Sequence, residues 1–279
     1  MFNYETYLAD IGLAYLKSST PNLENLAKIQ WSHLTNYPFQ SLSTVLHLPI
    51  SIKPDDIYQK IVVDKQGGYC YEQNLLVLAV LTNLGYKARP LTGYIVHDNA
   101  PDTPKARTHV LLLVTIKTQD YLLDVGYGGL VPTAPLKFVV DEVQNTPHGR
   151  YKIISHDDKY IVCADVKDEW QMLYAFDLQP QNQHDLEMGN WYISTYPKSP
   201  FRNMLMVSRI EANGIRHNLL NNTYKRHTIG GPSVTEYLAN TDEIITKLND
   251  TFLLNTDEIL AKGDTTLLNT VLDSAKLNR

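Results

Sequence analysis

The periodicity of the chain changes at Gly85, and that change bounds the fold more tightly than any other feature of its 279 residues. Before Gly85 the apolar residues recur at helical spacing. Tyr7, Leu8, Ile11, Leu13 and Ala14 predict a helix over 4–16. Leu23, Leu26, Ile29 and Leu34 predict a second, capped by Asn22 with Glu24 in its first turn, and broken by Pro38-Phe39-Gln40-Ser41-Leu42. Pro54, Asp55 and Asp56 open a third that runs toward Val63.

After Gly85 the texture is β. Strands are predicted over 89–96, 108–116, 121–125, 151–154, 160–166 and 172–176, with a polar, proline-bearing loop over 98–107. The run 108–116 is nearly continuous in apolar residues, which marks a strand buried on both faces. Short strands at close spacing argue for a small barrel or curled sheet. Further on, 204–210 and 216–220 read as strands and the chain from Ser233 as helical. Asn240-Thr241-Asp242-Glu243-Ile244 recurs at Asn255 to Ile259, which reads as a helix cap used twice. The fold class is α+β.

The helix after Gly67-Gly68 carries the chemistry. Gly67-Gly68-Tyr69-Cys70-Tyr71-Glu72-Gln73-Asn74 sets one of only two cysteines at a helix start, behind a pair of residues that allow a tight turn and close ligand approach. Unpaired N–H groups and the helix dipole there favour thiolate over thiol, which suits a nucleophile. The competing reading is a small buried hydrophobe, which Cys163 in its apolar run exemplifies. A base and an orienting acid decide between them.

Five of the nine histidines, His97, His148, His156, His184 and His227, lie in polar stretches and read as solvated. His109 opens the most apolar strand, where it serves either as a hydrogen-bonded structural group or as a base. Asp124 interrupts the apolar run Tyr121-Leu122-Leu123-Asp124-Val125, so it needs a partner to offset desolvation. Taking 117–120 as the hairpin turn and pairing Ile116 with Tyr121 places Asp124 opposite Leu113. His109 then lies on the same face four positions further along. A bulge, a strong twist or a different pairing has to close that gap. If the three groups meet, His109 takes or shares the Cys70 proton and Asp124 holds the imidazole. Backbone N–H groups at the helix start, that of Cys70 included, can bind an oxyanion. That is acyl transfer through a thioester.

These motifs resemble those of the arylamine N-acetyltransferases, whose signature is similar to Gly67-Gly68-Tyr69-Cys70-Tyr71-Glu72-Gln73-Asn74. Thr108-His109-Val110-Leu111-Leu112 and Leu123-Asp124-Val125-Gly126-Tyr127-Gly128 resemble the family's histidine and aspartate motifs. Pro38-Phe39-Gln40-Ser41-Leu42, Asn190-Trp191-Tyr192-Ile193-Ser194-Thr195 and Ser199-Pro200-Phe201 resemble further elements, so the likeness spans about residues 1 to 250. The resemblance implies a helical domain over 1–85 carrying the nucleophile, a β-barrel domain over 86–200 and an α/β lid over 201–279, with a papain-like core. It implies a ping-pong route with acetyl-CoA as co-substrate and an arylamine, arylhydrazine or similar aromatic amine as acceptor. Cys70, His109 and Asp124 would be the triad, and Phe39, Tyr127 and Phe201 the acceptor pocket.

For coenzyme A, the glycines Gly126, Gly128 and Gly129 can approach a pyrophosphate, and Lys105 and Ala106 precede the histidine strand. Arg107, Arg216, His217, Lys225 and Arg226 offer charge, although each also reads as a surface residue. The family's arginine four residues before the cysteine is Gln66 here, and its Glu-Asn pair is Gln40-Ser41. The expectation is that the Gln66 and Gln40 side chains bridge the cysteine loop to the first domain.

Net charge of −5 argues against broad nucleic-acid or anionic-membrane binding. The N-terminal residues lack a signal-peptide pattern and no stretch approaches a membrane span, so a cytoplasmic protein is expected. No Cys/His group has zinc-ligand spacing, and no metal is expected. Two other readings stand beside the leading one. They are a cysteine-triad hydrolase or amide synthase using another acyl donor, and a binding module with a vestigial triad.

Overall fold

A computed structural model describes residues 1–96, 100–103, 105–229 and 231–277. His97 and parts of the 98–107 loop lie outside the described residues.

The first region is helical, as its periodicity requires, with one difference. The expected helix over 4–16 is split into Tyr4–Asp10 and a 3-10 turn Ala14–Ser18. Gly12, at φ +74°, bends the backbone into a conformation that breaks an α-helix. Leu23–Asn36 follows Asn22, whose carboxamide accepts the Asn25 N–H at 2.9 Å. Pro54–Tyr58 widens into a π-helical turn, Gln59–Val63, that leads to the glycine pair.

Eight antiparallel strands form a nearly closed, barrel-like sheet. Their order is Leu136–Lys137, Gln119–Leu123, His109–Ile116, Lys87–Ile95, Glu169–Phe176, Lys159–Val166, Gly149–His156 and Gln144–Thr146. The strand His109–Ile116 is buried on both faces. Leu111 and Leu113 join Leu91, Tyr151, Val162 and Phe176 inside the barrel. Val110, Leu112 and Val114 pack with Leu76, Val80 and Tyr71 of the helix Cys70–Asn83. That second contact seats the nucleophile helix on the sheet.

The hairpin register differs from the expected one. Ile116 pairs with Gln119 and Leu112 with Leu123, because Lys117 takes φ +57° and the turn closes over two residues. Continuing that ladder puts Asp124 opposite Leu111 rather than Leu113. His109 is then a diagonal neighbour on the same face, two positions along, which is within reach of long side chains.

A second sheet runs Phe39–Gln40, Met206–Ile210, Arg216–Leu220, Thr223–His227 and Val234–Tyr237. Phe39–Gln40, within the segment expected to break a helix, contributes its edge: Phe39 pairs with Ser208 and Gln40 with Val207. The chain after Ser233 is first a strand, Val234–Tyr237, completing pairing with Thr223–His227, and becomes helical only at Thr241. Asn240 caps that helix through the Glu243 N–H at 2.9 Å, but Asn255 caps nothing; its N–H is drawn to the Lys65 carbonyl, and the next helix starts behind Thr256. Leu205, Val207, Leu219, Ile244, Leu248 and Phe252 form the core beneath this sheet. Among the described residues no helix is long and apolar enough to cross a membrane.

Candidate active site

Cys70 is the first residue of the helix Cys70–Asn83. Gly67 has φ +63°, and a Cβ there would lie 2.6 Å from the Pro38 carbonyl oxygen, so the approach to the cysteine admits only glycine. Glu72, buried, accepts the Tyr69 N–H at 3.1 Å and faces Lys60 Nζ at 2.5 Å. The flanking aromatics are anchored too: the Tyr69 hydroxyl donates to Asn190 and that of Tyr71 to the Arg107 carbonyl. Cys70 Sγ lies 3.6 Å from the Thr108 carbonyl oxygen, directly before His109.

His109 and Asp124 are each 2% exposed, with Nε2 and Oδ2 2.7 Å apart. The other Asp124 oxygen accepts Asn74 Nδ2 at 3.0 Å and the Gly126 N–H at 2.8 Å. Burial disfavours a charged imidazole, yet the Asp124 charge, its hydrogen bond to the ring and, after these, the neighbouring Cys70 outweigh it and push His109 up to about 10. Burial acts against the Asp124 carboxylate as well, and His109, Asn74 and the Gly126 N–H together hold it below the usual range. The Tyr174 ring stands 4.7 Å from the imidazole and that of Tyr127 5.7 Å, edge-on. Burial first, and Asp124 second, keep the Tyr174 phenol protonated. Cys70, His109 and Asp124, all buried, thus sit in a corner beside an aromatic wall.

This corner opens into a cavity of about 700 Å³, on whose wall lie Phe39, Tyr127 and Phe201 and also Lys105, Ala106, Gly126, Gly128 and Gly129. Phe39 and Phe201 meet edge to face at 5.9 Å, although they come from residues 162 positions apart. Gly126 is pressed against the nucleophile: a Cβ there would stand 2.5 Å from Cys70 Cα.

Several expected contacts are not made. Gln66 and Gln40 do not join side chain to side chain. Gln66 Nε2 turns to the Glu258 carboxylate at 3.1 Å, a charge-assisted partner, while Gln40 Nε2 donates to the Gln66 main-chain oxygen at 3.0 Å. Arg216 and His217 are buried and their side-chain nitrogens are engaged within the protein. The Arg216 guanidinium donates to the carbonyls of Gly129, Val131 and His148, and His217 pairs with Glu211 and Tyr224. Arg107 pairs with Asp177. His148 is only partly exposed; it lies against Trp31 at 4.9 Å, and burial with Arg216 lowers it to about 4. The one group of three metal-ligand types gathered among the described residues, Asp102, His156 and Asp157, is away from the cavity and partly exposed.

Sequence reading missed the supports. Gln30 Nε2 holds the Asp124 carbonyl at 3.1 Å. Asn74 also reaches the Val110 carbonyl and the Val125 N–H. His33 relays through Gln73. Gln73 Nε2 donates to the carbonyls of Pro38 and Gly68, so its oxygen must accept from His33 Nε2, at 2.6 Å, leaving Nδ1 to accept the Tyr7 hydroxyl at 2.8 Å. That directional chain requires a neutral imidazole, and burial lowers His33 to about 4. Asn74 and Gln73 were visible as polar residues on an otherwise apolar helix; His33 and Gln30 had the weaker signal of polar residues inside a helical pattern.

Known proteins match this arrangement over most of the chain. Residues 22–260 fit a family model described as N-acetyltransferase. An arylamine N-acetyltransferase of Escherichia coli K12 is 37% identical over 200 residues, covering 72% of this chain and 71% of that protein. One of Mycolicibacterium smegmatis is 37% identical over 228 residues, covering 80% and 82%. The solved structure of Mycobacterium marinum arylamine N-acetyltransferase in complex with CoA superposes with a TM-score of 0.88 at 33% identity, covering 98% of this chain and 99% of that one.

Proposed function

The chain belongs to the arylamine N-acetyltransferase family, and from that premise we propose that it carries an acetyl group from acetyl-CoA to an aromatic amine or hydrazine by way of a thioester on Cys70. As a member of that family it is an acyltransferase. The observation that carries the thioester reading is the 2.7 Å contact between buried Asp124 and His109, which shares the wall of one cavity with Cys70.

In the first half-reaction His109 takes the Cys70 proton and the sulfur attacks the acetyl carbonyl carbon. The oxyanion of the tetrahedral intermediate faces N–H groups at the helix start, that of Cys70 among them. Its collapse breaks the bond to the CoA sulfur, which leaves with a proton from His109. In the second half the amine nitrogen attacks the thioester, loses a proton to the imidazole, and expels the Cys70 sulfur, so each proton lent is returned. Asp124 keeps the imidazole oriented and stabilises its charged form. Phe39, Tyr127 and Phe201 offer aromatic faces to a planar acceptor. Gly126, Gly128, Gly129, Lys105 and Ala106 lie where the donor would enter. In this reading 1–85 supplies the nucleophile, 86–200 the histidine and aspartate of a papain-like core, and 201–279 a lid that brings Phe201.

Intact mass after mixing the protein with acetyl-CoA alone tests this. One added acetyl group on the Cys70 peptide, absent in Cys70→Ala and discharged by an aromatic amine, is expected. No adduct, or discharge as fast by water as by amine, would overturn the transferase reading in favour of another acyl donor or a hydrolase.

A further inference from the structure

The turn that delivers Cys70 is held from two sides, and one of them belongs to the C-terminal region. Lys65 has φ +55° and Gly67 φ +63°, two left-handed residues within three positions. Such a backbone persists only where its surroundings determine it. From the helical region itself, the Gln66 N–H donates to the Lys60 carbonyl at 2.9 Å and Gln40 Nε2 to the Gln66 carbonyl at 3.0 Å. These bonds fix the main chain of Gln66 and leave its side chain to another partner.

The segment 254–258 meets all three turn residues. The Asn255 N–H donates to the Lys65 carbonyl at 3.0 Å. Leu254 lies over Gly67, where a Cβ would stand 3.0 Å from Leu254 Cδ2. Gln66 Nε2 donates to Glu258 Oε2 at 3.1 Å. The segment is itself anchored. Leu254 and Ile259 are buried with Leu42, Leu46 and Phe252, and buried Thr256 donates through its hydroxyl to Asn249 Oδ1 at 2.9 Å.

The Gln66 contact differs from the other two because a side chain makes it at both ends. Gln66 is 7% exposed, so its amide has left water, and a carboxylate is a stronger acceptor than a neutral oxygen. The Glu258 side chain is half-exposed, with Lys262 one turn along at 3.5 Å. Truncating it releases the turn without opening the core.

We propose that Glu258 is a positioning residue for Cys70. By holding Gln66 it fixes the turn from which the helix Cys70–Asn83 starts, and so the place of the sulfur beside His109. Only Gly68 and Tyr69 separate that turn from the nucleophile. Gly126, whose Cβ would stand 2.5 Å from Cys70 Cα, leaves the cysteine little room to shift without losing its partners. This rests on the reading of Cys70 as the nucleophile, and adds that the C-terminal region sets its position.

The test compares Glu258→Ala, Glu258→Gln, which keeps an acceptor for Gln66 without the charge, and Gln66→Ala. Two rates are read: acylation of Cys70 by acetyl-CoA, and its alkylation by iodoacetamide. Glu258→Ala is expected to lower the limiting acylation rate about fivefold, with the half-saturating acetyl-CoA concentration unchanged. Alkylation at pH 7 should slow as well and its pH midpoint should rise, since a displaced thiol loses its imidazole partner. Glu258→Gln should recover most of both rates. Gln66→Ala should match Glu258→Ala, and the double variant should lose no more than either. A lower Tm with both rates unchanged would overturn the assignment, as would equal losses in the Gln and Ala variants or additive losses in the double one. Iodoacetamide needs no acetyl donor. An unmodified protein alkylated at Cys70 but never acetylated would therefore overturn the transferase reading, while the alkylation rates of the variants still decide the role of Glu258.

Discussion

Asn74 Nδ2 donates to Asp124 Oδ1 at 3.0 Å, one helical turn beyond Cys70. The same carboxamide holds the Val110 carbonyl and the Val125 N–H, so one side chain locks the nucleophile helix to both strands that carry its partners. Asn74→Ala should lower the rate of Cys70 acylation by roughly 10²-fold through misplacement of the acid. It also removes one of the groups that hold Asp124 low, so the acid limb of the acylation profile should move to higher pH. A rate against pH curve that keeps its position would show that Asn74 only fills space.

The His109–Asp124 pair gives stability a definite pH window. His109 is raised in the folded chain from 6.5 to about 10, so its contribution is whole below about pH 6.5 and is lost as pH rises toward 10. Urea denaturation of the unmodified protein should show stability falling from pH 7 to 10. In Asp124→Asn that slope should flatten, with acylation reduced by 10² to 10⁴-fold or so. An unchanged slope in the variant would place the linkage elsewhere.

His33 acts in the opposite sense. Its pKa is lowered from 6.5 to about 4, so the stability it contributes is present above about pH 6.5 and is lost as pH falls toward 4, by roughly 3 kcal/mol. His33→Gln removes that titration, and its stability should change less between pH 7 and 4.5 than that of the unmodified protein. Parallel curves for the two proteins would exclude His33 as the source; His148, also lowered to about 4, would then be the next to replace.

Gly126→Ala tests how closely the loop after Asp124 is pressed on the nucleophile. Its Cβ would meet Cys70 Cα at 2.5 Å and Asn74 Nδ2 at 2.7 Å, both on the helix they anchor. Overpacking of this kind costs about 1–3 kcal/mol. A lower Tm together with slowed Cys70 acylation is expected, whereas a variant matching the parent in both would show that the loop yields freely.

The Gly67-Gly68 turn, the helix opened by Cys70, the strand that His109 begins and the isolated acid at Asp124 were legible in the sequence. Each rests on spacing and turn chemistry acting over a few neighbours. The same local rules placed the short strands of the barrel, and marked His109–Ile116 as buried on both faces. What they could not settle was any choice between partners. The hairpin register moved because Lys117 accepted a left-handed φ, and that shift brought His109 within reach of Asp124. Gln66 left Gln40 for Glu258, 192 residues away. Phe39–Gln40 became a strand only because Met206–Ile210 lay beside it. Arg216 was withdrawn from the surface by carbonyls 68 to 87 residues distant. The sequence by itself determined most of the helices and barrel strands and which side chains carry reactive groups, since those follow from local periodicity and backbone preference. The tertiary structure alone decided which buried donor meets which acceptor, because a polar group removed from water takes the best partner within reach, and reach is set by the packing of distant segments.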